Sequence, residues 1–116
     1  MKTTAALAGL ATLALLAAPA AAAESPPSGL KLVLENHRFS PSTLTIPAGQ
    51  RVTVEVANHD ATGDEFENED LGVEKKIAPH GHAMITIGPL KPGSYRFVGE
   101  LHADTAILEV HAETPK

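Results

Sequence analysis

The chain has 116 residues, no cysteine, and fourteen acidic against nine basic side chains, a net charge of −5 with histidine neutral. Without a thiol it can form no disulfide, carry no thiolate nucleophile and build no cysteine-ligated metal centre. Its length suits one domain, and its acidic balance disfavours nucleic acid and anionic membranes as partners while favouring cations.

At the N-terminus, Lys2 precedes an uncharged apolar run from Ala5 to Ala18, followed by Pro19 and four alanines, Ala20 to Ala23. The run is too short to span a bilayer comfortably, and the small residues after it suit a signal peptidase. The pattern predicts a signal peptide over 1–23, export to the periplasm, and no membrane insertion after cleavage. Removing it leaves 93 residues that hold all fourteen acids and eight of the nine basic residues, a net charge of −6. Residues 24–29, Glu-Ser-Pro-Pro-Ser-Gly, read as a flexible leader.

The domain is expected over 30–112. Leu30, Leu32 and Leu34 alternate with Lys31, Val33 and Glu35, the period of a strand with one apolar face. Leu44-Thr45-Ile46 repeats the alternation and stops at Pro47-Ala48-Gly49, a turn signal. Arg51 to Val56 alternates valines with polar residues, which fits a half-buried strand and not a helix. From Ala61 to Gly72 neither period holds, so the acidic run Asp64, Glu65, Glu67, Glu69 and Asp70 is expected to be a loop. Ala83, Ile85 and Ile87 form another strand after the turn Pro79-His80-Gly81-His82, a turn whose expected positions include the far end of the sandwich from His102. Tyr95-Arg96-Phe97 and Thr105 to His111 follow. Short strands at this spacing predict an all-β sandwich of six to eight strands.

The order Phe39-Ser40-Pro41, Leu44 to Gly49, Val52-Thr53-Val54 and Asn58 resembles the first half of a cupredoxin, a Greek-key β-sandwich. Pro92-Gly93-Ser94-Tyr95-Arg96-Phe97 with Gly99-Glu100-Leu101-His102 resembles the family segment Pro-Gly-x-Tyr-x-Phe-x-Cys-x-x-His. Gly99 stands where a blue copper protein has its cysteine, and Ile107 or a neighbour where the axial methionine would be. Gly63-Asp64-Glu65-Phe66 replaces the upstream histidine. A type 1 copper centre is therefore not expected. The acidic run with a Gly-Glu-x-His ending resembles the EfeO-type cupredoxin-like proteins, which implies a part in iron or copper handling beside an inner-membrane iron permease or another periplasmic metal-handling protein.

If the cupredoxin topology holds, the segment after Asn58 and the segment from Gly99 to Asp104 meet at one end. Carboxylates with one imidazole suit iron, Mn(II) or Cu(II) rather than Cu(I). The expected ligands of a copper or iron ion are Glu65, Glu67, Glu100 and His102, with Asp64, Glu74 and His59 as secondary candidates. An acidic run is also what a solvated surface needs, and His102 could equally be a packed histidine. His80 and His82 could capture a metal by themselves or form a polar turn; His37 and His111 belong to no motif and read as surface. No nucleophile elbow or phosphate loop is present, and with four aromatic residues the chain lacks a stacking platform. The reading is a metal-binding accessory protein, with a copper-dependent ferrous iron oxidase component and a metal-free β-sandwich module as alternatives.

Overall fold

The valines of β4 (Val52–Asn58) point inward with no exposed surface, and the polar residues between them face out. This strand is the middle of one sheet. A computed structural model describes residues 29–115, with Thr3 and Gly9; apart from those two, the predicted signal peptide and leader up to residue 28 lie outside the described residues.

Beside β4 runs β1 (Leu30–Glu35), parallel to it, with Leu32 opposite Val56 and Leu34 opposite Asn58. β2 (Arg38–Ser40) hairpins back from β1 through the two residues Asn36 and His37. Both have positive φ, 53° and 56°, as a hairpin turn that follows the strand twist requires. β7 (His82–Ile87) pairs with the other side of β4, completing the order β2-β1-β4-β7.

The second sheet has the order β3-β9-β8-β5-β6, built from β3 (Thr43–Pro47), β5 (Asp64–Asn68), β6 (Val73–Ile77), β8 (Gly93–Gly99) and β9 (Ile107–Glu113). A single 3-10 turn, Glu100–His102, links β8 towards β9. Inside, Phe66 packs between Phe39 and Phe97, with ring centroids 5.7 and 5.0 Å apart. The Phe39–Phe66 contact crosses between the two sheets, whereas Phe66 and Phe97 stack within one.

Three expectations change. The all-β two-sheet architecture is as expected, but the described residues form nine strands where six to eight were read from the sequence. The acidic run is the hairpin β5–β6 and not a loop: Asp64 and Phe66 point inward while Glu65 and Glu67 point out, so a strand period is present but masked by an inward carboxylate. The Pro79–His82 turn lies at the same end as His102. β6 runs antiparallel to β5 and so ends beside the start of it, and Asn58 N–H to Gly81 O and His80 N–H to Asp60 O, 2.8 and 2.9 Å, tie the turn there.

Candidate metal centre

β5 begins where β8 ends, with Phe66 opposite Gly99, so Asp64 faces the turn that follows Gly99. Its carboxylate is buried and fully engaged. Oδ1 accepts the backbone N–H of Glu65 at 2.8 Å and of Leu101 at 3.0 Å, and Oδ2 meets Nδ1 of His102 at 2.9 Å. The Asp64 side chain is 1% exposed and that of His102 24%. With Nδ1–H donating to the carboxylate, a neutral His102 keeps its lone pair on Nε2. Gly99 makes the arrangement possible. A Cβ there would overlap the Asp64 carboxylate and lie 2.8 Å from the Ala106 methyl.

No motif placed His37 here, yet its ring stacks on His102 with centroids 3.6 Å apart and planes 12° from parallel. The hairpin turn brings it. Asp60 accepts the N–H groups of Asn36 and His37 at 2.8 and 2.9 Å, which satisfies both donors of the turn. The His37 bond, foremost, holds the Asp60 carboxyl below its ordinary range. Asn58 in turn orders the Asp60 segment: its Oδ1 accepts Asp60 N–H at 2.9 Å and its amide donates to Thr62 O and Ala78 O. A metal lies in the plane of an imidazole that binds it. Two rings stacked face to face share no such point, so in this arrangement His37 and His102 cannot bind one ion together.

On the outer face of the same hairpin, Glu65, Glu74 and Glu100 bring carboxylate oxygens within 4.8 Å of one another. They come from β5, β6 and the 3-10 turn respectively. Glu67 lies directly opposite Glu74 in the β5–β6 register, a pairing of like charges that costs stability unless a cation or proton intervenes. Hydrogen bonding with Glu100, then partial desolvation and its like charge, pushes the Glu65 carboxyl up, and Glu67 does the same to Glu100. Lys76, opposite Glu65, offsets part of this.

The expected ligands thus fall into two groups. Glu65, Glu67 and Glu100 share the outer face, joined by Glu74. His102 and Asp64 bind each other on the inward side, and His102 adds no ligand atom to the carboxylate group. His59 sits 3.7 Å from Glu35, and His82 3.1 Å from Glu55.

The sequence model of the cupredoxin-like domain matches residues 5–110. The chain belongs to that family. An uncharacterised protein of Rickettsia prowazekii (strain Madrid E) is 38% identical to this cupredoxin-like chain over 77 residues, 66% of the chain and 62% of that protein, so the chain spans under two thirds of its relative. Among solved structures, auracyanin A, a "blue" copper protein of Chloroflexus aurantiacus, superposes with a TM-score of 0.63 at 14% identity, covering 77% of this chain and all of that one. A purple cupredoxin of Nitrosopumilus maritimus gives 0.56 at 15% identity over 73% of this chain and 100% of its own. Amicyanin of Paracoccus versutus gives 0.58 at 19% over 78% and 87%. At these identities the likeness is one of fold.

The copper associated with the family can be tested against the residues present. A type 1 centre does not fit this cupredoxin-like chain: it has no cysteine, the space for a side chain at Gly99 is taken by Asp64, and Nδ1 of His102 is committed to that same carboxylate. The carboxylates of the outer face do fit a cation that prefers oxygen donors.

Proposed function

We propose that this cupredoxin-like chain is an exported metal-binding accessory protein that holds an iron or copper ion on its outer face, at Glu65, Glu74 and Glu100 with Glu67 beside them. One observation carries the reading: three carboxylates from three separate elements bring oxygens within 4.8 Å of one another. Like charges gathered this closely repel, and a bound cation turns that repulsion into attraction. An all-oxygen set selects against Cu(I). The resemblance to EfeO-type proteins supports a role in metal uptake or delivery with an inner-membrane iron permease as partner, and the charge pattern of residues 1–23 supports a periplasmic location. Among the described residues no helix is long and apolar enough to cross a membrane.

Equilibrium dialysis of the protein against Fe(II) under anaerobic conditions, Fe(III) citrate and Cu(II) tests the proposal. Retention of about one ion, lost in the triple variant E65Q/E74Q/E100Q, is the expected result. No retention of any of the three ions, or equal retention by the variant, overturns it.

A further inference from the structure

Glu100 rides on a single 3-10 turn with no side-chain cap, whereas Glu65 and Glu74 sit on paired strands. A carboxylate on so short a turn has no fixed position unless something ties the turn to the sheet. Asp64 is that tie. Its Oδ1 accepts N–H groups on both sides of the seam, from Glu65 on β5 and from Leu101 in the turn, and its Oδ2 takes Nδ1–H of His102 at the turn's end. One buried carboxylate therefore clamps the backbone of Glu65 and of the residue after Glu100 while pointing away from the ion the two glutamates would hold. Gly99 completes the clamp, since any Cβ there would drive the Asp64 carboxylate out of place.

We infer that Asp64 is a positioning residue for the outer-face site, setting the distance between Glu65 and Glu100 without touching the ion, and that Gly99 is required for it to do so. This rests on the carboxylates of the outer face being the metal site. Groups that orient metal ligands from behind typically change affinity by about 10–100-fold when removed, although they supply no donor atom. Asp64→Asn keeps the shape and can keep all three hydrogen bonds if His102 changes tautomer, so it should act mildly. Asp64→Ala and Gly99→Ala should not.

The test has one arm that needs no metal. In the metal-free protein, NMR should show close contacts between the Glu65 and Glu100 side chains and slow exchange of the Leu101 amide. Both should be lost in Asp64→Ala and in Gly99→Ala and kept in Asp64→Asn; their persistence in the two alanine variants overturns the inference whatever the metal data say. In the second arm, Cu(II) or Fe(II) titrations well below the unfolding temperature should show about tenfold or greater weakening for Asp64→Ala and Gly99→Ala, and less than about threefold for Asp64→Asn. The Cu(II) electron paramagnetic resonance spectrum should change in the alanine variants, as a purely structural role would not require. Unchanged affinity and spectrum also overturn it. A wild-type protein that retains none of Fe(II), Fe(III) and Cu(II) removes the proposed function, and the metal-free arm still decides the role of Asp64. Gly99→Ala, which displaces the carboxylate without deleting it, serves should Asp64→Ala fail to fold.

Discussion

A buried carboxylate is tolerable only when its oxygens are fully paired, and Asp64 has three donors for its two oxygens. Replacing it with alanine leaves two backbone N–H groups and an imidazole without partners in a place water reaches poorly. A buried donor left unpaired costs about 1–3 kcal/mol, so chemical denaturation of Asp64→Ala should show a loss of about 3 kcal/mol, with Asp64→Asn in between. Asn58, also buried, organises the neighbouring loop through three hydrogen bonds. Asn58→Ala should lower stability by about 2 kcal/mol in the same measurement, because the Asp60 N–H and two carbonyls lose their partner. Neither role can be read from sequence. Asp64 is one acid among five in its run, and nothing in the local order marks it as the one that points inward, away from Glu65 and Glu67.

At the level of elements, the β5–β6 hairpin was hidden by its own charge. Alternation at Asp64, Phe66 and Asn68 is a strand period, but the apolar partner expected at the first position is an acid, so pattern reading favours a loop. Elsewhere the same reading worked because apolar residues occupy the inward positions of β1, β3, β7 and β9, and of β4 as far as Val56. The turns at Pro47-Ala48-Gly49 and Pro92-Gly93 were legible for the same reason: proline and glycine announce backbone geometry directly. The hairpin also carries a pH signature. Glu65 and Glu100 have carboxyls raised from 4.5, so the folded state binds their protons more tightly than the unfolded state does. Their contribution is fully present below 4.5 and is lost as pH rises through the raised values. Denaturation midpoints should fall across that range in cation-free buffer, and Glu74→Gln should flatten the fall by removing one of the repelling charges. Asp60 works in the opposite sense. Its carboxyl is depressed from 3.8, so the stability it lends to the β1–β2 turn is present above that value and is lost as pH drops through the depressed one; Asp60→Asn should remove this part of the acid transition.

For the whole molecule, the end that carries the candidate site is assembled from four chain segments far apart in sequence: the β1–β2 turn, the loop after β4, the turn before β7 and the turn after β8. Five of the six histidines gather there, and only His111, bonded to Ser94 at 2.8 Å, lies towards the other end. The resemblance to a cupredoxin located that end and His102 within it; it could not locate His37, which enters through the hairpin geometry of Asn36-His37 and through Asp60. If an ion binds the native state alone, saturating it at about 100 times its dissociation constant should stabilise the protein by about 2.7 kcal/mol, visible as a higher thermal midpoint that E65Q/E74Q/E100Q does not show.

β9 governs when the second sheet can close. β9 is not an edge: it lies between β3 and β8, parallel to the first and antiparallel to the second, so Thr43–Pro47 has no neighbour until Ile107–Glu113 arrives. The second sheet cannot close until Ile107–Glu113 is available to pair with both neighbours. Pairings between such distant segments also fold slowly, on the order of milliseconds to seconds. A protein cut before Ile107 should show no cooperative unfolding transition by circular dichroism.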